Sequence, residues 1–191
     1  MQKITREGAS FPVTHASWDT FPLQLNTVAT LSYDEGGFSV HFSTDETHLR
    51  AVETEHNTFV HKDSCLEMFM QFAPESDIRY INFEINPNGA AYVSCSKKRG
   101  DFVFFSAEDI EALGIKTAVR EDGWELSYYI PAAIIQKYVP SYEHKVGAHL
   151  RGNFYKCGDE TDHPHFLSYA PIATEEPDFH RPEYFADFIL A

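Results

Sequence analysis

The stretch LEMFMQF at residues 66–72 places Leu, Met, Met and Phe at alternate positions, with Glu, Phe and Gln between them. The stretch INFEIN at residues 81–86 alternates Ile, Phe and Ile with Asn, Glu and Asn. A period of two puts successive side chains on opposite faces of a β-strand. Both stretches therefore predict strands that bury one face in a core and turn a more polar face outward.

The same alternation recurs at residues 38–42, 124–130 and 150–155, and turn-forming DEGG and NPNG sequences stand at 34–37 and 86–89. The 16 Phe, 10 Tyr and 2 Trp residues also favour strands, since aromatic side chains suit a pleated, half-buried surface. We therefore expect an all-β fold, a two-sheet antiparallel sandwich of the immunoglobulin-like kind, in a single domain spanning residues 1–191.

One or two short helices are predicted to interrupt the strands. Ser106 is a typical N-cap for a helix over 107–113, and Gly114 is a typical stop. Pro131 suits the start of a second helix over 132–138.

The charge of the chain restricts its partners. It has 15 Lys and Arg against 29 Asp and Glu, a net charge of −14. Such a surface repels phosphate backbones, so we expect no nucleic-acid partner, and the basic run at 97–99 is expected to form a solvated turn. No apolar run approaches the roughly 20 residues that span a bilayer, so we expect no membrane span.

The N-terminus shows no signal-peptide pattern. We therefore expect a cytoplasmic protein, or a secreted or periplasmic one if the sequence is a processed form. The three cysteines, Cys65, Cys95 and Cys157, form no C-x-x-C motif, and reduced buried thiols are expected.

Polar residues of three strands share the predicted outward faces, and the candidates for ligand contact are Glu67, Asn82, Glu84, Arg151, Asn153 and Tyr155. If these strands are neighbours, their carboxylates, amides, guanidinium and phenol form one polar surface. Planar groups of this kind hydrogen-bond adjacent sugar hydroxyls, which both donate and accept. The alternative is a solvated sheet face on which Arg151 neutralises the acidic side chains.

Residues 151–188 are rich in proline and aromatic residues. The prolines exclude a helix, and the aromatic residues make the segment too apolar for a mobile loop. We expect it to pack back over one end of the sandwich. Tyr169 in this segment is a candidate for a flat ring that stacks on a sugar, and His165 is a further candidate for ligand contact.

Six stretches in order, at 62–69, 82–89, 123–131, 151–157, 165–171 and 179–185, resemble carbohydrate-binding module family 9 and its family 9-like relatives. The resemblance covers the chain from about Thr27 to the C-terminus. It implies a DOMON-like β-sandwich that binds carbohydrate without cleaving it, with mono-, oligo- or polysaccharides as partners and a link to polysaccharide degradation. Such modules usually accompany glycoside hydrolases, and calcium sites occur among them, although no cofactor is otherwise expected.

The resemblance also assigns roles to individual positions. Glu67 matches the glutamate that contacts the ligand in sugar-binding members. Those members hold the sugar between two tryptophans, whose positions correspond here to Val60 or His61 and to Tyr169. An arginine of the sugar binders falls near Glu84, so that contact is not preserved, and Arg151 is the candidate to replace it. With one aromatic platform we expect dissociation constants on the order of 0.1–1 mM.

Two other functions fit parts of the sequence. Glu67 and Glu84 are candidates for the acid and base of a glycoside hydrolase, which needs two carboxyl groups roughly 5–10 Å apart. The other is a metal or haem site. Its candidate metal ligands are Asp162, His163, His165 and His180, and its candidate haem ligands are Met68 and Met70. These methionines lie on the apolar side of their stretch, where methionine normally fills a core.

Overall fold

The computed structural model describes residues 1–18 and 23–191. The strands are β1 (Gln2–Ile4), β2 (Ala9–Pro12), β3 (Thr27–Tyr33), β4 (Gly37–Thr44), β5 (Cys65–Gln71), β6 (Tyr80–Ile85), β7 (Ala91–Ser96), β8 (Val103–Phe104), β9 (Lys116–Arg120), β10 (Gly123–Pro131), β11 (His149–Gly158), β12 (His165–Ser168) and β13 (Ala186–Leu190).

These strands form two sheets. The large sheet has the order β1-β13-β11-β5-β6-β7-β8, with β12 also paired to β11, and the small sheet has the order β2-β3-β4-β10-β9. Neighbouring strands are antiparallel, except that β1 runs parallel to β13. The predicted two-sheet sandwich is confirmed.

The inner faces of the two sheets form one hydrophobic core. Leu66, Met68 and Met70 of β5 are buried there with Phe83 of β6, as their alternation predicted. From the small sheet, Phe42 packs into the same core.

The two predicted helices are present as α1 (Ala107–Glu111) and α2 (Ala132–Tyr138). Ser106 is the N-cap of α1, and its Oγ accepts a hydrogen bond from the Asp109 backbone N–H at 3.2 Å. Two further turns, at Val60–Lys62 and Pro182–Tyr184, are 3-10 helices. No helix in residues 1–18 and 23–191 has the length and hydropathy needed to cross a membrane.

Buried Asp63 anchors the loop that precedes β5. Its Oδ2 accepts hydrogen bonds from the backbone N–H groups of Val52 and Glu53, at 3.0 and 2.8 Å, and from Asn86 Nδ2 at 2.8 Å. Arg50 completes the set with an ion pair to Asp63. These contacts hold the 3-10 turn at Val60–Lys62 against the end of the large sheet.

A buried ion pair joins the two sheets. Lys156, fully buried on the inner face of β11, lies 2.9 Å from the carboxylate of Glu46, which follows β4. Trp124 Nε1 of β10 and Ser64 Oγ also donate hydrogen bonds to this carboxylate, at 3.1 and 2.9 Å. Groups from both sheets thus satisfy one buried charge.

The stretch 151–188 was predicted to pack over one end of the sandwich, but its segment 170–185 lies on the outer face of the large sheet. Phe69 and Tyr155 point outward from β5 and β11, and they form a second hydrophobic cluster with Ile172 and Phe185 of this segment. The outward face is therefore not a solvated surface, because an apolar cover lies on it.

Replacing Lys156 by Met should lower the free energy of unfolding by roughly 3–5 kcal/mol, since Glu46 is then left buried without its partner. Urea unfolding of the variant measures the loss. The matched control is Lys137→Met, which removes an exposed lysine from its pair with Asp109 and should cost below about 1 kcal/mol. Equal losses in the two variants would contradict the role assigned to Lys156.

Candidate functional site

A small cleft of about 100 Å³ opens on the outer face of the large sheet. The sheet, the loop before β5, the β7–β8 turn and the C-terminal segment all contribute to its lining, which is His61, Glu67, Phe69, Glu84, Arg99, Cys157, Asp159, Phe166, Pro177, Asp178, Phe179 and His180.

Glu67 and Glu84 form the floor of the cleft. They are directly opposite in the β5–β6 register, and only 2% and 4% of their surfaces are exposed. Burial raises the pKa of Glu67 to about 7, and burial together with the Glu67 charge raises the pKa of Glu84 well above its usual range. Near neutral pH this pair therefore offers both O–H donors and carboxylate acceptors.

Neighbouring side chains hold the two glutamates in place. Asn82 Nδ2 donates to Glu84 Oε1 at 2.8 Å, while its Oδ1 accepts from Ser94 Oγ at 2.6 Å. Cys157 Sγ donates to Glu67 Oε1 at 3.0 Å. Asn82, predicted as a ligand contact, is fully buried and does not line the cleft.

Two histidines stand above this floor. His61 Nδ1 lies 4.0 Å from Glu84 Oε2. Of the two candidates for the first tryptophan position, His61 lines the cleft, whereas Val60 is fully buried. His180 Nδ1 and the Tyr80 hydroxyl lie 2.9 Å apart. Burial, and next the charge of Arg99, lower the pKa of His180 to about 4, so this ring is neutral at pH 7.

Aromatic rings form the remaining wall. Phe179 stacks on Tyr155 with ring centroids 4.1 Å apart, and the Tyr155 hydroxyl donates to the Phe179 carbonyl at 3.2 Å. Tyr155 therefore supports Phe179 and does not itself line the cleft. Phe166 of β12 is half-buried and contacts Phe179 and Trp18 edge to face. Neither Phe179 nor Trp18 therefore stacks on the Phe166 ring.

The prediction that Tyr169 presents a ring to the ligand is not matched by its position. Tyr169 packs into the core between the sheets, edge to face with Phe11 at 5.2 Å between centroids, and its hydroxyl donates to Gln2. The reason is the register in which β12 pairs with β11. Phe166 is opposite Cys157 and points outward. Leu167 and Tyr169, one and three residues later, therefore point inward, and Leu167 is buried in the core.

Arg151 is also outside the cleft. It lies 3.4 Å from Asp187 and donates to the Phe185 carbonyl at 3.2 Å. On β11 it precedes Tyr155, the partner of Glu67, by four residues, a separation of about 13 Å along a strand. The arginine at the cleft is instead Arg99 of the basic turn, which reaches Asp178 at 3.2 Å.

Asn153 and His165 serve other contacts. Asn153 exchanges two hydrogen bonds with the backbone of Ala170, at 3.0 and 2.8 Å, and so fastens the start of the C-terminal cover. His165 lies on the core side, where its Nε2 is 2.7 Å from Lys156 Nζ and its Nδ1 is 2.7 Å from the His163 carbonyl. Neither residue lines the cleft.

The haem ligands considered above are not available, since Met68 and Met70 are buried in the core. The candidate ligands Asp162, His163, His165 and His180 do not converge. In the described part of the chain the grouping with metal-ligand spacing is instead Cys65, Glu67 and Cys157.

The family model described as carbohydrate-binding family 9 matches residues 4–190. A solved structure of a protein from Bacteroides uniformis ATCC 8492, proposed to bind carbohydrate, is 25% identical in sequence to this chain, with a TM-score of 0.85. The match covers 100% of this chain and 97% of that one.

Two structures of a family 9 module from Caldicellulosiruptor kristjanssonii share the fold. The complex with glucose is 12% identical (TM-score 0.68), and the match covers 97% of this chain and 85% of that one. The complex with cellotriose is 13% identical (TM-score 0.65), and the match covers 99% of this chain and 92% of that one. No curated protein matches the sequence significantly.

A two-sheet β-sandwich with a polar cleft on its outer face defines a ligand-binding module. The chain belongs to carbohydrate-binding family 9, as its sequence motifs predicted. Its class is therefore that of non-catalytic carbohydrate-binding proteins.

His165 should remain neutral, with its proton on Nδ1, as the pH falls to about 5, because burial and next the Lys156 charge lower its pKa to about 4. In the unfolded chain the imidazole takes up a second proton, and so becomes cationic, near pH 6.5. The wild-type protein should thus lose stability between about pH 6.5 and 4 relative to His165→Gln, which keeps an acceptor for Lys156. Denaturant unfolding across this pH range measures the difference, and parallel curves would contradict it.

Proposed function

We propose that the cleft binds one sugar ring at a time, at the end of a short glucan or as a free monosaccharide. The observation that carries this proposal is the pair of buried carboxyl groups, Glu67 and Glu84, at the floor of a cleft walled by aromatic rings. Both features face the same empty space. Their combination matches a sugar, which has hydroxyls at its edge and apolar C–H groups on its faces.

The protonation of the pair suits hydroxyl recognition. Because the pKa of Glu67 is raised to about 7 by burial, its carboxyl group is partly protonated at neutral pH. A sugar hydroxyl that donates to one oxygen can accept from another, and two adjacent hydroxyls span one carboxyl group. His61 adds a rim group within reach of the same ligand, with 36% of its side chain exposed.

The stacking surface is assigned to Phe166. This ring lines the cleft and stands directly opposite Cys157 in the sheet, close to the glutamate floor. A stacked ring contributes about 1 kcal/mol beyond its burial. Since His61 stands where sugar-binding relatives have a tryptophan, the second wall is weak, and dissociation constants on the order of 0.1–1 mM follow.

The ligand class follows from the family and from the similar structures. The Caldicellulosiruptor kristjanssonii module was solved with glucose and with cellotriose, so these two sugars are the first probes for this chain. The single-ring size of the cleft favours the end of a chain over its interior.

Replacing Phe166 by Ala should weaken glucose or cellotriose binding about tenfold, because the stacking face is lost. Titration calorimetry with millimolar sugar measures the change. Tyr169→Phe is the matched control, since Tyr169 packs in the core, and its affinity should equal that of the wild-type protein. Loss of binding in the control but not in Phe166→Ala would contradict the assignment.

Replacing Glu84 by Gln should also weaken binding by at least tenfold, because the amide keeps the shape but removes one of the two carboxyl groups that bind sugar hydroxyls. Glu125→Gln is the control on the small sheet, where Glu125 pairs with exposed Arg120. An absence of heat with several sugars in the wild-type protein would reject the site. Release of reducing ends, abolished by Glu67→Gln, would support the hydrolase alternative instead.

A further inference from the structure

We propose that Cys65, Cys157 and Glu67 form a binding site for a thiophilic divalent cation, of which Zn²⁺ is the biological representative. The site lies in the floor of the cleft. It goes beyond the proposed sugar binding and does not depend on it.

The three side chains already converge. Their two Sγ atoms and one carboxylate oxygen all lie within 4.8 Å of one another. Cys65 and Cys157 are directly opposite in the β5–β11 register, and Glu67 follows Cys65 by two residues on the same face. Zinc binds sulfur at about 2.3 Å and carboxylate oxygen at about 2.0–2.2 Å, so one ion between these three atoms reaches each of them with small side-chain rotations.

The strands, not flexible loops, set this arrangement. Two of the three ligands stand on β5 and the third on β11, near the ends of two central strands of the large sheet. All three residues are buried, with at most 2% of their surfaces exposed. A site carried by paired strands is therefore preorganised, and an ion that enters it has little ordering of the protein to oppose it.

The local charge favours a cation. Glu84 lies opposite Glu67, and Asp159 lines the same cleft as Glu67 and Cys157. Among the described residues that line the cleft, Arg99 is the only Lys or Arg, and 66% of its side chain is exposed to solvent. Lys156 lies on the other face of β11, paired with Glu46, and its charge favours the deprotonated forms of Cys65 and Glu67, which are the forms that bind a metal ion.

Burial keeps the ligands protonated in the absence of an ion, since it raises the pKa of Cys65 to about 12 and that of Cys157 well above its usual range. Coordination replaces these protons, and each thiol releases one to solvent as its sulfur binds the ion.

The donor set selects the ion. Two thiolates and one carboxylate are soft enough to favour Zn²⁺, Cd²⁺ or Co²⁺ over Ca²⁺ and Mg²⁺, which prefer oxygen ligands. Glu67 and Cys157 line the cleft, so an ion has an entry path and a fourth coordination position that faces the cleft. A water molecule or a sugar hydroxyl fits that position chemically.

The test uses the full chain, treated with a chelator and kept reduced with a phosphine. Titration with Co²⁺ should produce a thiolate-to-cobalt charge-transfer band in the near ultraviolet that saturates at one ion per chain, and Zn²⁺ should displace it. Cys65→Ser and Cys157→Ser should each lose this band and at least tenfold in Zn²⁺ affinity. Cys95→Ser is the matched control, since this third buried cysteine packs in the core between the sheets, and it should behave as the wild-type protein.

Thermal unfolding supplies a second readout. Saturating Zn²⁺ should raise the melting temperature of the wild-type protein and of Cys95→Ser but not of Cys157→Ser, because an ion bound only to the folded state stabilises it. Ca²⁺ should give no such shift. An equal shift with Ca²⁺, or an unchanged cobalt band in Cys157→Ser, would overturn the proposal.

Oxidation is the competing fate of the same pair. Directly opposite residues of antiparallel strands have Cα atoms about 4.5–5.5 Å apart, which is within the range for a disulfide. Loss of two free thiols in air, without metal binding by the reduced protein, would replace the metal site with a cross-strand disulfide. Sugar titrations in chelator report the proposed sugar site separately, so a failure of either idea is visible without the other.

Discussion

The opposition of Glu67 and Glu84 across β5 and β6 is the constraint on which the rest of the cleft depends. Two buried carboxyl groups at adjacent positions cannot both be ionised without a large cost, so their pKa values rise and protons are retained. The surroundings accommodate this pair with donors such as Asn82 and Cys157. The result is a floor able to donate and accept hydrogen bonds, which is what a polyol ligand requires.

Strand β11 separates two polar groups of residues: the Lys156–Glu46 ion pair in the core and the Glu67–Glu84 floor of the cleft. Lys156 points into the core and pairs with Glu46, while its neighbours Tyr155 and Cys157 point to the cleft. The period of two thus keeps the one buried lysine of this region on the opposite side of the sheet from the acidic floor. The core ion pair joins the sheets, and the carboxyl groups of the floor stay on the cleft side.

The C-terminal cover converts an ordinary sheet face into a cleft. Residues predicted to contact a ligand instead hold this cover in place: Asn153 binds the backbone of Ala170, and Tyr155 supports Phe179. Burial raises the pKa of both glutamates, and the cover supplies one wall of the cleft in which they lie. The same segment therefore shapes the cleft above its floor.

The sequence by itself determined which side chains share a face, because alternation along a strand is a local property, and its ordered motifs identified the family. It thereby predicted the sandwich and the joint outward position of Glu67 and Glu84. Only the tertiary structure decided that Arg99 and not Arg151 reaches the cleft, and that Phe166 and not Tyr169 faces it. Those outcomes depend on the register between distant strands and on where a turn and a covering segment come to lie, and neither is encoded in a local period of two.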